Sequence, residues 1–123
     1  MSTNHEPGNG TIVITGSSRG IGFHLSKRFL DEGYHVTGIS RSDTSINHPN
    51  FRSLTADIRD LDQVNALSDE LAGKPVVGLI NNAGIHGPIG PFEGAPLDAW
   101  VGTFYVNLFG AAALSQICIP SLR

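Results

Sequence analysis

The chain alternates between short β-branched or apolar runs and longer stretches in which apolar residues recur every three or four positions. The first short run is Thr11 to Thr15, and others follow at 35–39, 51–55 and 76–80. Short continuous apolar runs are typical of strands that are buried on both faces of a parallel sheet. Their alternation with helical patterns predicts an α/β fold.

Periodic apolar residues predict helices between these strands. One face of the first helix carries three apolar residues at a spacing of four: Ile21, Leu25 and Phe29. One face of the second helix carries four: Leu61, Val64, Leu67 and Leu71. Gly33 and Gly73 supply the C-terminal stops, and Asp60 can cap the second helix at its N-terminus.

The last third of the chain predicts a loop followed by a long helix. Residues 85–96 are rich in glycine and proline, which favours an irregular loop. Residues 98–122 predict a helix that is broken or kinked near Gly102 and Gly110 and ends at Pro120.

Two polar or glycine-containing segments follow the first and fourth strands. These are residues 15–22 (TGSSRGIG) and residues 81–84 (NNAG). Right-handed crossovers and a doubly wound arrangement predict the strand order 3-2-1-4, which makes the first and fourth strands neighbours. Open α/β sheets bind ligands where the carboxyl ends of such strands meet, so we expect both segments to line one site.

The segment after the first strand suits the pyrophosphate of a dinucleotide. A strand that turns sharply into a helix leaves free N–H groups and the positive end of the helix dipole pointing outward. Gly16, Gly20 and Gly22 would allow unusual dihedrals or a close backbone approach. Ser17 and Ser18 can add hydroxyl contacts or cap the helix. A flexible turn is the alternative, but the flanking strand and helix favour a nucleotide site.

The TGxxxGxG spacing and the Asn-Asn-Ala-Gly segment resemble those of the short-chain dehydrogenase/reductase family. The resemblance implies a Rossmann-type doubly wound parallel sheet that binds NAD(P), and an activity that interconverts alcohols and carbonyls. It covers nearly the whole chain after residue 10, but only the first half of the family's pattern. It implies a cofactor site made of the following residues: Gly16, Ser18, Arg19, Gly20, Ile21, Gly22, Arg41, Asp57, Ile58, Asn82, Ala83 and Gly84.

The resemblance also assigns roles to single positions. Asp57 would accept a hydrogen bond from the adenine amino group while Ile58 packs on the ring, although an aspartate after a strand is often only a turn residue. Asn81 would hold the sheet. Asn107 matches the asparagine of the family's Asn-Ser-Tyr-Lys tetrad, which makes it the one catalytic candidate in this chain. The alternative for Asn107 is an amide that bonds a backbone carbonyl within the core.

The end of the second strand bears on the choice of cofactor. The position where an acidic residue would bind the ribose 2′-OH of NAD is Ser40, and Arg41 follows it. Arg19 is a second cation expected near the same ribose. This pairing is similar to that of family members that use NADP, so we expect NADP(H) to be preferred over NAD(H). Two solvated surface arginines are the alternative.

The family's Tyr-x-x-x-Lys pair does not occur in this sequence, since Gly38 lies four residues after Tyr34 and Phe109 four residues after Tyr105. We therefore expect an N-terminal fragment of an NADP(H)-dependent oxidoreductase, without hydride transfer of its own. The full-length parent would act on a small alcohol or carbonyl substrate. The alternative is a non-catalytic dinucleotide-binding protein that ends at Arg123 and pairs with a partner chain.

The fourth strand would be an exposed apolar edge in this partial Rossmann domain, residues 11–123. A homo-oligomer or a partner chain could cover it. Residues 1–10 are polar and predict a flexible tail without the apolar region of a signal peptide.

Composition narrows the possible partners and location. The net charge of −3 provides no general attraction to nucleic acid or anionic membranes, and we expect no apolar run long enough to span a bilayer. The one cysteine, Cys118, fits a reducing compartment and is expected to be buried, which favours the cytoplasm. The five histidines lack paired metal-ligand spacing, so no metal site is predicted.

Overall fold

A four-stranded parallel sheet forms the centre of the computed structural model, which describes residues 10–71, 75–85 and 87–122. Its strands are β1 (Thr11–Thr15), β2 (His35–Ser40), β3 (Phe51–Thr55) and β4 (Val76–Ile80). Their order is β3-β2-β1-β4, and every neighbouring pair is parallel. The predicted fold class and strand order are confirmed, and β2 extends one residue beyond its predicted end.

The described residues form four α-helices: α1 (Gly20–Asp31), α2 (Leu61–Leu71), α3 (Leu97–Phe104) and α4 (Gly110–Leu122). The helices α1 and α4 contact the sheet directly, and α2 packs against α4. A π-helical turn, Tyr105–Phe109, joins α3 to α4. The irregularity of the long helix therefore lies between the two glycines at which breaks were expected. The preceding loop is irregular as predicted, apart from a short 3-10 turn at Phe92–Gly94.

Pro120 lies inside the last turn of α4 and does not end it. The prediction that Pro120 ends the helix is therefore wrong, whereas the predicted outer bound at Leu122 is confirmed. A proline removes its own hydrogen bond to the preceding turn, but its fixed φ is compatible with a helix. Ser121 and Leu122 can therefore keep helical dihedrals after it.

The buried face of α1 differs from the predicted one. Its buried residues are Gly22, Ser26 and Leu30. Ile21 is 71% exposed, while Leu25 and Phe29 are half-buried against the core. The reason is the absence of a side chain at Gly22, where a Cβ atom would lie 2.2 Å from the carbonyl oxygen of Gly16. The helix turns this bare position toward the sheet, and Ile21 consequently faces outward.

The helix α2 begins at the predicted cap. Asp60 Oδ1 accepts hydrogen bonds from the backbone N–H groups of Asp62 (3.0 Å) and Gln63 (3.4 Å). Val64, Leu67 and Leu71 are buried, whereas Leu61 is only half-buried. The predicted stop at Gly73 lies outside the described residues.

Alternate residues of β1 feed two cores on opposite faces of the sheet, as the two-residue period of a strand requires. Ile12 and Ile14 belong to a cluster with Leu30 of α1. Val13 belongs to the other cluster, which includes Leu114 and Cys118 of α4. The cysteine is 1% exposed as predicted, and burial raises the pKa of its thiol.

The long helix is relevant to the expectation that no apolar run could span a bilayer. By length and composition, Leu97–Leu122 is apolar enough to cross a membrane, so the expectation that no run reaches that length is wrong. This is weak evidence for a membrane span, because a core helix of a soluble protein passes the same test. One face of α4 packs against α2 and β4, while Phe104 and Leu108 remain about half exposed.

The strand β4 is an edge of the sheet among the described residues, with β1 as its one partner. Val77 on this strand is 48% exposed. Gly10 is buried beside it, and its carbonyl oxygen accepts a hydrogen bond from the N–H of His35 (3.3 Å). The rest of the expected tail, residues 1–9, lies outside the described residues.

A glycine in the long helix generates the first prediction. At Gly110 a Cβ atom would lie 2.4 Å from the carbonyl oxygen of Ile58, so backbone would have to move. We expect Gly110→Ala to lower the free energy of unfolding by about 1–3 kcal/mol. Gly102 of α3 is the matched control, because nothing lies within 4 Å of its Cβ position.

Urea denaturation followed by circular dichroism provides the measurement. Gly102→Ala should be neutral or stabilise by up to about 1 kcal/mol, the usual helix-propensity gain. Equal midpoints for the two variants would contradict the close contact between α4 and the segment after β3.

Candidate functional site

An open cleft of about 810 Å³ lies at the carboxyl ends of the strands. It brings together most of the predicted cofactor-site residues: Gly16, Ser18, Arg19, Gly20, Arg41, Asp57, Ile58, Asn82, Ala83 and Gly84. Three predicted site residues, Ile21, Gly22 and Asn107, are not part of its lining. The cleft is therefore formed by segments from the ends of all four strands.

The turn between β1 and α1 leaves a helix N-terminus open toward the cleft. Gly16 (φ 70°) and Gly20 (φ 62°) both adopt left-handed backbone conformations. Arg19 occupies the N-cap position without a side-chain capping bond, and the first turn contains no acidic residue. Free N–H groups and the positive end of the helix dipole make such a terminus suitable for an anion.

Neither serine of this turn caps the helix, although capping was one of the alternatives for both. Ser18 is half-buried and lines the cleft. Ser17 is fully buried, and its hydroxyl has no hydrogen-bond partner among the described residues. It lies instead against β2, where a Cβ atom on Gly38 would meet the Ser17 hydroxyl at 2.3 Å.

The glycine turn and the segment after β4 are joined by hydrogen bonds. The buried hydroxyl of Thr15 accepts hydrogen bonds from the backbone N–H groups of Asn82 (3.0 Å) and Ala83 (2.9 Å). The Asn82 Nδ2 atom donates to the carbonyl oxygen of Gly16 (3.3 Å). Sequence reasoning missed Thr15, although a hydroxyl at the end of a buried apolar strand was a signal that could have identified it.

Gly22 supports this junction without reaching the cleft. A Cβ atom there would lie 2.2 Å from the Gly16 carbonyl oxygen and 2.7 Å from Asn82 Nδ2. The residue thus permits α1 to pack directly on the turn, which is the helix–strand packing expected of the last glycine in such a motif.

Asn81 does not have the expected role in the sheet. Its Nδ2 atom donates to the hydroxyl of Ser115 in α4 (3.2 Å). That hydroxyl in turn donates to the carbonyl oxygen of Ala111 (2.8 Å). The correction is that Asn82 ties β1 to β4, whereas Asn81 fixes the helix above the strand end.

Asn107 lies in the π-helical turn and fixes the backbone just beyond Gly84. Its Oδ1 atom accepts from the N–H of Ile85 (2.9 Å), and its Nδ2 atom donates to the Ile85 carbonyl oxygen (2.8 Å). The amide therefore bonds backbone, as the alternative reading proposed, but the residue is exposed and does not belong to the core. Its neighbours Val106 and Ile85 both line the cleft.

Asp57 forms an ion pair that the sequence reasoning did not foresee. Arg59 Nη2 lies 2.8 Å from Asp57 Oδ2, and Arg59 Nε lies 3.1 Å from Asp57 Oδ1. The backbone N–H of Arg59 also donates to Oδ1 (3.0 Å), which makes Asp57 a turn residue as well. The Arg59 hydrogen bond is the largest cause that lowers the pKa of the Asp57 carboxyl below its ordinary value, and the charge of Arg41 contributes least.

Charged residues line the cleft from the segments that follow β1, β2 and β3. Three arginines line it, namely Arg19, Arg41 and Arg59, together with the acids Asp43 and Asp57. The predicted cations Arg19 and Arg41 are both exposed. The hydroxyl of Ser40, which stands at the expected acidic position, donates to the carbonyl oxygen of Ser42 and shapes the loop after β2.

No group of three or more potential metal-ligating side chains occurs among the residues with described coordinates.

Comparison with known proteins identifies one matching family. The family model for short chain dehydrogenases matches residues 10–123. A short-chain dehydrogenase/reductase of Talaromyces verruculosus is 30% identical over 118 residues, which cover 91% of this chain and 46% of that protein. The chain spans about half the length of the curated relatives it matches.

Solved structures agree with the sequence relatives. The ligand-free aldohexose dehydrogenase of Thermoplasma acidophilum is 32% identical with a TM-score of 0.83, over 94% of this chain and 45% of that one. A short chain dehydrogenase of Leptospira borgpetersenii with bound NAD+ is 27% identical with a TM-score of 0.83, over 98% and 49% of the two chains.

The hydroxyl of Thr15 generates the second prediction. Thr15→Val preserves the shape of the side chain but leaves the Ala83 N–H without its acceptor and the Asn82 N–H with only the Ile80 carbonyl oxygen (3.0 Å), which is expected to cost about 1–3 kcal/mol of unfolding free energy. Thr15→Ser retains the hydroxyl and is the control. Amide hydrogen exchange at Asn82 and Ala83 should accelerate in the valine variant alone, and unchanged protection would contradict the bonding scheme.

Proposed function

We propose, given that the chain belongs to the short-chain dehydrogenase family, that it binds NADP(H) in the cleft and forms the cofactor-binding part of an oxidoreductase for alcohols and carbonyls. The observation that carries the proposal is the N-terminus of α1, which opens into a cleft that two exposed arginines, Arg19 and Arg41, also line. The activity and the substrate are those proposed for a whole protein of which this chain corresponds to about half.

The turn after β1 supplies the proposed pyrophosphate site. Gly16 and Gly20 line the cleft without side chains, and a Cβ atom on Gly20 would project into open space. The backbone N–H groups of the first turn can therefore approach a diphosphate closely. This arrangement fits a dinucleotide because backbone donors and the helix dipole both favour negative charge.

Two arginines support a preference for NADP(H). The relative from Leptospira was solved with NAD+, so a preference in this chain has to come from its own residues. Arg19 and Arg41 both line the cleft, and Ser40 stands where an acidic residue would repel a 2′-phosphate. Arginine pairs well with phosphate because its guanidinium donates two parallel hydrogen bonds.

The other predicted residues have proposed positions along the same ligand. Asp57 and Ile58 would bind the adenine, while Ala83 and Gly84 would face the ribose beside β4. Asn107 would hold this wall through its two hydrogen bonds to Ile85. When it is bound, a nicotinamide cofactor supplies hydride chemistry, for which these residues provide binding and orientation.

A non-catalytic nucleotide-binding protein remains the second candidate. The open edge of β4 favours it, because an exposed strand edge can pair with another chain. Analytical ultracentrifugation separates the two: a stable dimer or hetero-complex that buries β4 supports the second candidate. A cytoplasmic location remains part of either proposal, supported by the single buried cysteine.

Replacement of the cleft arginines tests the cofactor preference. We expect Arg41→Ala to weaken NADPH binding about 10–100-fold, because a charge-assisted contact to the 2′-phosphate is lost. NADH, which lacks that phosphate, should bind with nearly unchanged affinity. Isothermal titration calorimetry with both cofactors provides the measurement, and Arg19→Ala should act in the same direction.

Arg28→Ala is the matched control, because Arg28 is an exposed arginine that pairs with Glu32 outside the cleft. It should leave the affinities for both cofactors unchanged. Equal losses for NADPH and NADH in Arg41→Ala would overturn the preference while leaving dinucleotide binding intact.

Catalysis provides a separate test. The chain has no Tyr-x-x-x-Lys pair, so no tyrosine in it has the neighbouring lysine that lowers the pKa of the family's acid. We expect the 123-residue chain to bind NADPH without oxidising it in the presence of carbonyl compounds. Absorbance at the nicotinamide band monitors the reaction, and turnover by the purified chain would contradict the expectation.

A further inference from the structure

The Asp57 carboxylate is held from three directions. Arg59 donates to it from Nε, from Nη2 and from its own backbone N–H. The backbone N–H of Asp57 donates to Gln63 Oε1 (2.8 Å). Gln63 Nε2 donates in turn to Asp60 Oδ2 (3.1 Å), the residue that caps α2. Both the main chain and the side chain of Asp57 are therefore fixed to the start of α2.

This arrangement leaves part of the carboxylate available to a ligand. An ionised carboxylate has about four lone-pair sites, and three Arg59 N–H groups donate to this one. The Nε group is shared between Oδ1 (3.1 Å) and Oδ2 (3.3 Å), so the acceptor site least engaged by Arg59 is on Oδ2. Asp57 lines the cleft with its side chain 26% exposed. The remaining acceptor site can therefore face a donor group in the cleft.

We propose that Arg59 is a positioning residue, which orients Asp57 so that the site selects a 6-amino purine over a 6-oxo purine. This inference rests on the proposed cofactor site. The 6-amino group of adenine is a hydrogen-bond donor, which an acceptor-only carboxylate can bind. The 6-oxo group of hypoxanthine is an acceptor and would face the carboxylate without a hydrogen between them. Arg59 acts through Asp57 and need not contact the base itself.

The charge state of the pair agrees with this role. Arg59 lowers the pKa of the Asp57 carboxyl, so the group stays ionised and cannot donate a hydrogen bond to a 6-oxo purine. The bidentate geometry also restricts rotation of the carboxylate, which a single-point contact would allow. A lysine at position 59 would retain the charge and lose this restriction.

Purine discrimination provides the experiment. The affinities of the 123-residue chain for NADPH and for reduced nicotinamide hypoxanthine dinucleotide phosphate are measured by calorimetry, and their ratio is compared among variants. We expect the unchanged chain to prefer the adenine form about tenfold, the lower range for a hydrogen bond to a charged group. In Arg59→Ala the ratio should fall below about threefold.

Three further variants separate positioning from other roles. Arg59→Lys should behave like Arg59→Ala if geometry is decisive. Asp57→Asn should lose the preference by itself, and Arg59→Ala should add nothing in that background, since it acts through Asp57. Arg28→Ala breaks a comparable exposed ion pair outside the cleft and should leave the ratio unchanged.

Each other outcome overturns the inference. An unchanged ratio in Arg59→Ala, or equal losses for both ligands, would mean a structural or general electrostatic role. A higher ratio would mean that Arg59 competes with adenine for Asp57. If the unchanged chain binds both ligands without discrimination, this inference alone fails; if it binds neither, the proposed cofactor site fails with it.

Discussion

The close junction between the ends of β1 and β4 is the constraint on which the cleft depends. A buried hydroxyl, Thr15, accepts two backbone hydrogen bonds from the segment after β4, and the bare Gly22 lets α1 pack on the same turn. A larger residue at Gly22 would push the helix away from the strand end. The helix N-terminus could then not open at the point where the two strands meet. The open helix N-terminus and the contact between the ends of β1 and β4 thus depend on one packing arrangement.

Much of the fold could be predicted because its signals are local. Strand bounds followed from β-branched runs with clear punctuation, and the Asp60 cap from a single side chain. The rotation of α1 could not be predicted, because Ile21 is a strongly apolar residue whose exposure depends on the packing of Gly22. The position of the π-helical turn could not be predicted either, because Gly102 and Gly110 suggested breaks near themselves and the turn lies between them.

The residues that form the candidate site were easier to predict than the hydrogen bonds between them. Ten of the twelve predicted cofactor-site residues came together in one cleft. Which of two adjacent asparagines ties the strands together, however, depends on backbone direction at the end of β4. The Asp57–Arg59 pair joins residues two positions apart in a segment that belongs to no helix or strand, so no periodic pattern indicates it. A turn produces this contact, and turn geometry is weakly encoded in residue patterns.

The apolar residues of the long helix are not confined to one buried face, so the helix departs from a simple amphipathic pattern. Leu114 and Cys118 of α4 are buried in the core, whereas Phe104 and Leu108 in the preceding turns are apolar and about half exposed. Such a helix has no polar face to mark its orientation, which is why composition alone gives it the character of a membrane span. Its orientation comes instead from the small residue Gly110 and the amide of Asn107. The glycine admits the Ile58 backbone, and the amide bonds Ile85, so the same turn of helix that seats α4 on the core also holds one wall of the cleft.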